Sequence, residues 1–401
     1  MRAARIHLGY SLVSFRSAIC RLSVCTALAA IAWPSQAVPI RPASDDEVVE
    51  VLPAVPGGRA EQRRLRKALA EQPRDAALAL TMTRRYLEQA HESGDPRFAG
   101  MAMAVLEPWS DDATMSDELL MMRATVQQYL HQFDESVRSL RTVLARPSGQ
   151  RLSQAWLTLA TVLRVQGRYA DSDAACAQLA QTGAALHARA CAAENAALRG
   201  DVERARAAFA GLLANPREAA ATQAWLLTSL AELEQRAGNA SASEAAFKRA
   251  LELAPDPYTR LAYADLLIEQ RRPAEALALL ADEPRSDNVL LRLAIAGTEA
   301  KAPTAAADVA EMRERITLAN ERPEAKVFHG REQAMFALGV DRDAERALAL
   351  ARGNVGQQRE PLDLVVLARA ARASGRADAI AGAKRLTAEV GLVDRRIESL
   401  W

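Results

Sequence analysis

Along the chain beyond residue 60, apolar side chains recur at spacings of three and four, the pattern of helices with one buried face. Residues 153–182 show the unit most clearly. Trp156, Leu159, Ala160 and Leu163 fall on one side of a first helix, Gly167 and Tyr169 mark a turn, and Ser172, Cys176 and Leu179 fall on one side of a second. Each half is amphipathic, so the spacing predicts two antiparallel helices that bury their apolar faces together.

The same frame recurs. A turn residue is followed five positions on by a small side chain and nine on by a larger apolar one: His131/Ser136/Leu140, Gly167/Ser172/Cys176, Gly200/Ala205/Phe209, Gly238/Ser243/Phe247, Arg271/Ala276/Leu280 and Gly339/Ala344/Leu348. The long interval between Arg271 and Gly339 holds two units, one of them degenerate. Ala124, Ala160, Ala193, Ala231, Ala264 and Ala368 place a small residue in the first helix, which lets two backbones approach while the larger residue fills the space beside them. Pro108, Pro147, Pro216, Pro255, Pro284 and Pro323 end one unit before the next begins. Gly94-Asp95-Pro96 and Gly375 read as the turns of a first and a last pair.

This pattern resembles the tetratricopeptide repeat (TPR) family, whose units are antiparallel helix pairs with Trp/Leu-Gly-Tyr in the first helix and Ala, Phe, Ala and then Pro in the second. Residues 117–283 carry the resemblance best; 78–108, 286–320, 324–353 and 361–391 carry it more loosely. It implies an all-α, right-handed superhelical solenoid of about nine antiparallel TPR-like helix pairs over residues 61–401, with first helices lining a concave face. The chain departs from the family in having Ala at the family's first-helix Gly, and Ile380 and Lys384 where Ala and Phe are expected.

The family's ligand-contacting positions on the first helix fall here on Gln128, Tyr129, Leu157, Thr161, Arg164, Glu194, Trp225, Glu232, Arg236, Tyr258, Asp265 and Glu269. Glu194, Glu232 and Asp265 take one equivalent position in consecutive units, an acidic strip by this resemblance, and the last unit offers Arg369 and Arg372. Half of every amphipathic helix is polar in any case, so the competing reading of these residues is a solvated face.

Composition narrows the function. Of 401 residues 50% are hydrophobic, enough for a large interior, and aromatics at 4% argue against a β-sandwich or barrel. A net charge of +1 disfavours nucleic acid or an anionic membrane as partner. At the N-terminus, Arg2, Arg5, Arg16 and Arg21 precede an apolar run from Leu22 to Trp33 and then Ser35-Gln36-Ala37, the order of a secretory signal peptide cleaved after Ala37. Twelve apolar residues extend about 18 Å as helix, short of a hydrocarbon core of roughly 30 Å. Residues 38–60, rich in Pro, read as a flexible leader, and the folded part is expected to begin near Glu61.

Chemical motifs are missing from the sequence. His91-Glu92 is followed by Asp95 where a zinc HExxH needs His, and there is no Cys-x-x-Cys, G-x-S-x-G, Walker loop or G-x-G-x-x-G. No catalytic residue, metal or cofactor is assigned, and Asp111-Asp112 reads as loop charge. Cys176 and Cys191 stand level on either side of a turn at Gly183-Ala184; a disulfide and two buried thiols are the alternatives. The expected function is an exported, non-enzymatic scaffold that binds a protein or peptide on its concave face, periplasmic or secreted, in cell-envelope assembly or maturation. A self-associating structural protein (a homo-oligomer) and a helical-solenoid enzyme acting on envelope polysaccharide are the alternatives.

Overall fold

The computed structural model describes residue 44 and residues 58–93, 96–109, 115–149, 152–321 and 330–401. The signal segment (1–37), nearly all of the leader (38–60), Gly94-Asp95, Asp111-Asp112 and Pro323 lie outside the described residues. The chain divides into two units, residues 1–61 and 62–401. Of the first, residue 44 and the start of helix α1 (Gly58–Glu71) are described; α1 opens three residues ahead of Glu61.

The second unit holds nine helix pairs among its described residues: α2 (Ala76–Ser93) with α3 (Pro96–Leu106), α4 (Asp117–Tyr129) with α5 (Phe133–Leu144), α6 (Ser153–Val165) with α7 (Tyr169–Gln181), α8 (Ala185–Leu198) with α9 (Val202–Leu213), α10 (Ala220–Arg236) with α11 (Ala240–Leu253), α12 (Pro257–Glu269) with α13 (Pro273–Leu280), α14 (Asp287–Ala300) with α15 (Ala305–Asn320), α16 (Gly330–Phe336) with α17 (Ala344–Asn354), and α18 (Pro361–Ser374) with α19 (Ala377–Val390). A short α20 (Arg395–Glu398) follows. Each second helix packs on its own first helix and on the next pair's first helix, and successive first helices also touch, so they form one wall of an all-α repeat solenoid.

The small-and-large frame explains the pairing. Ala124, Ala160, Ala231, Ala264 and Ala368 have no exposed surface, and Phe209 and Phe247 fill the space beside the second-helix seats Ala205 and Ser243. Burying each phenylalanine contributes about 3 kcal/mol. Where the small residue is serine, its hydroxyl can also bond the first helix: Ser136 Oγ donates to Ala124 O at 2.9 Å and Ser172 Oγ to Ala160 O at 2.8 Å. The first helices α4 to α16 end on a left-handed residue, and the next N–H reaches back to an otherwise orphaned carbonyl, as in Arg168 N to Leu163 O (2.8 Å) and Asn239 N to Glu234 O (2.8 Å).

Two details of the frame are corrected. Gly339 is not the turn of its pair. It lies in a π-helical segment, Ala337–Asp341, where an added Cβ would sit 3.0 Å from Ile295 Cγ1, and the left-handed turn residue is Arg342. The π turn absorbs extra residues at the end of the first helix, so the seats five and nine positions on are Ala347 and Ala351, both buried. In the last pair, Ala379 and Ala383 are the buried residues rather than Ile380 and Lys384. There the turn lacks the reach-back bond seen at Gly167, and Arg376 N bonds Ser374 Oγ at 3.3 Å, which rotates α19 by one position.

Cys176 on α7 and Cys191 on α8 are joined by a disulfide, with Cα atoms 5.8 Å apart. It ties the second helix of one pair to the first helix of the next. Among the described residues no helix is long and apolar enough to cross a membrane.

Candidate binding wall and its closure

The first helices α6, α8, α10, α12 and α14 present their polar positions along one wall, and most of the charges there bond to the neighbouring helix. Arg164 on α6 pairs with Glu194 on α8, which also accepts from Ser229 Oγ on α10 at 2.7 Å. Tyr258 on α12 donates to Glu232 on α10 at 2.5 Å. Gln235 on α10 donates to Glu269 on α12 at 2.7 Å. Asp265 on α12 is gripped by both arms of Arg292 on α14, at 3.0 and 2.7 Å. The spacing produces this ladder: residues about one repeat apart on equivalent helices face each other, so a polar residue on one finds its complement on the next.

The wall does not stand open. The last pair and the segment after it come back against the turns of the third, fourth and fifth pairs. Arg359 N, just before α18, donates to Val165 O at 2.7 Å, and Val393 N donates to Leu198 O at 2.9 Å. Tyr169 and Leu198 belong to the same buried cluster as Val390, Leu392 and Ile397. Glu269 receives Arg369 from α18 at 2.8 Å and lies 3.6 Å from Arg396 of α20, which in turn pairs with Asp394 at 2.7 Å.

This closure brings titratable groups from well-separated parts of the chain within electrostatic reach of one another. Burial would raise the Glu269 carboxyl, but Arg396, Arg369 and Gln235 outweigh it and hold it below the usual carboxylate range. Burial pushes Glu232 up, with the charges of Glu194 and Glu360 adding to it and Arg236 and Tyr258 opposing. Tyr258 is pushed well above the usual phenol value, chiefly by the charge of Glu232, to which it donates. It remains 61% accessible, so the enclosure admits solvent beside it. Burial lifts Tyr169 to about 12, and its hydroxyl makes no hydrogen bond. Arg236 is 8% exposed and its Nε has no partner; burial holds it below the usual guanidinium value, against the pull of Glu232 and Asp394.

Of the residues expected on the concave face, Arg164, Glu194, Glu232, Arg236, Tyr258, Asp265, Glu269 and Arg369 lie on or beside this network. The others do not join it. Tyr129 donates to Ala90 O at 2.9 Å and stacks edge-on with His91; Thr161 bonds Leu157 O within its own helix; Trp225 stacks on His187, ring centres 5.7 Å apart; Gln128 is half-buried on α4, and Arg372 is exposed on α18. Sequence reasoning missed Tyr169, Glu360, Asp394 and Arg396, and Arg331 of α16, which pairs with Glu360 at 2.7 Å. The signal available was the cluster Asp394-Arg395-Arg396 set between apolar Leu392, Val393 and Ile397, which is too charged for a simple end cap. Among the described residues no group of three His, Cys, Asp or Glu is arranged to hold a metal ion.

No protein-family model and no curated protein matches the chain. Among solved structures the chain is similar to a thermophilic TPR protein of Thermus thermophilus (18% identity, covering 46% of this chain and 99% of that one, TM-score 0.38). It is similar also to a Rap protein complexed with Competence and Sporulation Factor (11%, 86% and 94%, TM-score 0.49) and to a tetratricopeptide repeat protein from Parabacteroides merdae (13%, 72% and 99%, TM-score 0.39).

Proposed function

We propose that this TPR-like solenoid is an exported, non-enzymatic scaffold that takes a protein or peptide partner on the wall formed by α6, α8, α10 and α12, in the assembly or maturation of the cell envelope. The observation that carries the reading is Tyr258: a large aromatic side chain left 61% accessible and held by its bond to Glu232. Exposed, rotationally fixed aromatics in a polar setting are favoured contact residues at protein interfaces. Export rests on the N-terminal pattern of Arg2 to Ala37.

A photoreactive benzoylphenylalanine placed at Tyr258 tests it, with the same group at Leu318, 49% exposed on a second helix, as control. In cells, a discrete partner adduct is expected from position 258 and not from 318, on a chain whose N-terminus is Val38. Adducts of equal pattern from both positions would refute the wall as the binding face, and an uncleaved cytoplasmic chain would refute export.

A second reading has one observation in its favour. Glu232, with a raised proton affinity and a short bond to Tyr258, has the makings of a general acid in a helical-solenoid enzyme acting on polysaccharide.

A further inference from the structure

Two buried donors on the closed side of the wall have nothing to bond. Arg236, at the end of α10, is 8% exposed; its Nε has no hydrogen-bond partner, and among the described residues no carboxylate pairs with it. Tyr169, at the start of α7, is 3% exposed, and its hydroxyl is likewise without a partner. Both lie under one short stretch of chain: a Cβ on Gly167, just before Tyr169, would sit 3.1 Å from Val390 Cγ1, and one on Gly238, just after Arg236, 3.5 Å from Arg395 Cγ. Of the charges acting on the Tyr169 hydroxyl, that of Arg236 is the strongest.

The carboxylates around them are taken. Glu194 pairs with Arg164, Glu360 with Arg331 at 2.7 Å, Asp394 with Arg396 at 2.7 Å and Glu269 with Arg369 at 2.8 Å. The exception is Glu232, one turn before Arg236 on α10, a spacing at which Glu and Arg commonly pair. Here it accepts from Tyr258 at 2.5 Å instead. A guanidinium buried without a partner is among the costliest arrangements a fold can keep, and burial holds Arg236 below its usual value.

We infer that Arg236 and the Tyr169 hydroxyl form a site for a small oxyanion, a carboxylate or phosphate group on a free solute, which bridges α10 to α7 beneath the C-terminal segment. The guanidinium has donors and no acceptor, and a phenol lifted to about 12 keeps its proton at neutral pH. Two neighbouring donors without acceptors select a ligand rich in acceptor oxygens, and the planar guanidinium matches two oxygens of one such group. The solute is small because the donors are covered, Tyr169 by the cluster it shares with Val390, Leu392 and Ile397. A polypeptide end would have to displace that segment. Glu232 opposes the ligand's charge, and its raised proton affinity lessens the opposition. Solvent reaches the wall at Tyr258, the partner of Glu232, one helical turn from Arg236. Such a site stands whether or not the wall takes a protein partner.

The test follows the urea midpoint of the full chain at neutral pH and constant ionic strength, with sodium chloride exchanged for inorganic phosphate in one arm and for succinate in the other. A ligand at a hundred times its dissociation constant multiplies the folding equilibrium constant about a hundredfold, so a rise that saturates is expected in at least one arm. The arm that saturates at the lower concentration tells a phosphate source from a carboxylate one. Tyr169→Phe removes a hydroxyl that bonds nothing in the protein, so the anion-free midpoint should hold or rise while anion affinity falls about tenfold. Arg236→Met should lose the saturating rise, and Glu232→Gln, which keeps an acceptor for Tyr258, should tighten binding. Should Arg236→Met fail to fold, Tyr169→Phe decides alone. No rise in either arm, the mark of donors bonded only to water, overturns the inference. So does a linear rise of equal slope in the unsubstituted chain and the donor variants, the general effect of excluded anions on folding.

Discussion

Replacing Gly200 by alanine separates the two demands on that position. Gly200 and Gly183 share nearly the same backbone, φ +88° and +87°, but nothing lies within 4 Å of a Cβ on Gly183, whereas one on Gly200 meets Val393 Cγ2, Cβ and Cγ1 at 3.0, 3.2 and 3.2 Å. Left-handed alanine costs about 1–2 kcal/mol at either site. At Gly200 the added carbon must also push Val393 aside, and overpacking of this kind costs about 1–3 kcal/mol more, limited by whatever the tail gains from docking, since the tail can leave. Gly238→Ala, with contacts no closer than 3.5 Å, should behave like Gly183→Ala. Urea unfolding followed by circular dichroism gives the loss, and hydrogen exchange of the Val390–Trp401 peptide reports the tail. The order expected is Gly200→Ala below Gly238→Ala, which equals Gly183→Ala, with faster exchange at Val393 only in the first. Equal losses at Gly200 and Gly183 with unchanged tail exchange would mean that the glycines serve backbone conformation alone.

Two further predictions concern stability. Reducing the Cys176–Cys191 bond, which closes a loop with a sequence separation of 15, should lower stability by about 3 kcal/mol, read as a drop in urea midpoint with a phosphine reductant; an unmoved midpoint would contradict it. Asp363, buried and bonded to Asn354 and to the Glu360 N–H, has its carboxyl pushed up to about 6, chiefly by burial and further by Glu360, against Arg331. The folded state thus holds this proton more tightly than the unfolded chain, so ionisation costs stability: the penalty is absent below the unfolded carboxylate value of about 4 and complete above about 6. Stability should rise as pH falls from about 7 to about 5 and then decline as lowered carboxylates such as Glu244, held near 2 by Arg272 and Lys248, take up protons. Asp363→Asn should diminish the rise, leaving the share that the raised Glu232 carboxyl contributes; a rise unchanged by the substitution assigns it elsewhere.

Much of the fold was legible because it is local. The first-helix alanines, the seats five and nine residues after each turn and the prolines between pairs are all set by contacts within about one repeat, and a period of that length is visible in the chain itself. The frame failed where a local signal had a nonlocal cause. Gly339 looked like a turn because the turns at Gly167, Gly200 and Gly238 carry glycine, but its missing side chain makes room for Ile295 of the preceding first helix. The last pair slipped by one position because Ser374, rather than a helix carbonyl, receives the Arg376 N–H.

The wall was half legible for a related reason. Glu194, Glu232 and Asp265 do share one position in consecutive units, but an acidic residue at that position reads the same whether its partner is a ligand or the next helix. Their complements, Arg164, Tyr258 and Arg292, stand some 30 residues away at positions that vary between pairs. The distinction therefore depends on side-chain pairing across helices. Asp265, fully engaged by an Arg292 that is itself 7% exposed, is committed to holding α12 against α14, because withdrawing either partner would leave the other charge buried alone. Glu232 and Arg236 are not committed in that way: the first is bonded to an accessible tyrosine and the second carries a buried Nε without a partner. On the scaffold reading proposed above, recognition on this wall would fall to the few polar groups that the helix ladder leaves incomplete. The two differ in access: Arg236 is buried within reach of the charges of Asp394 and Arg396, whereas the tyrosine bonded to Glu232 stays open to solvent.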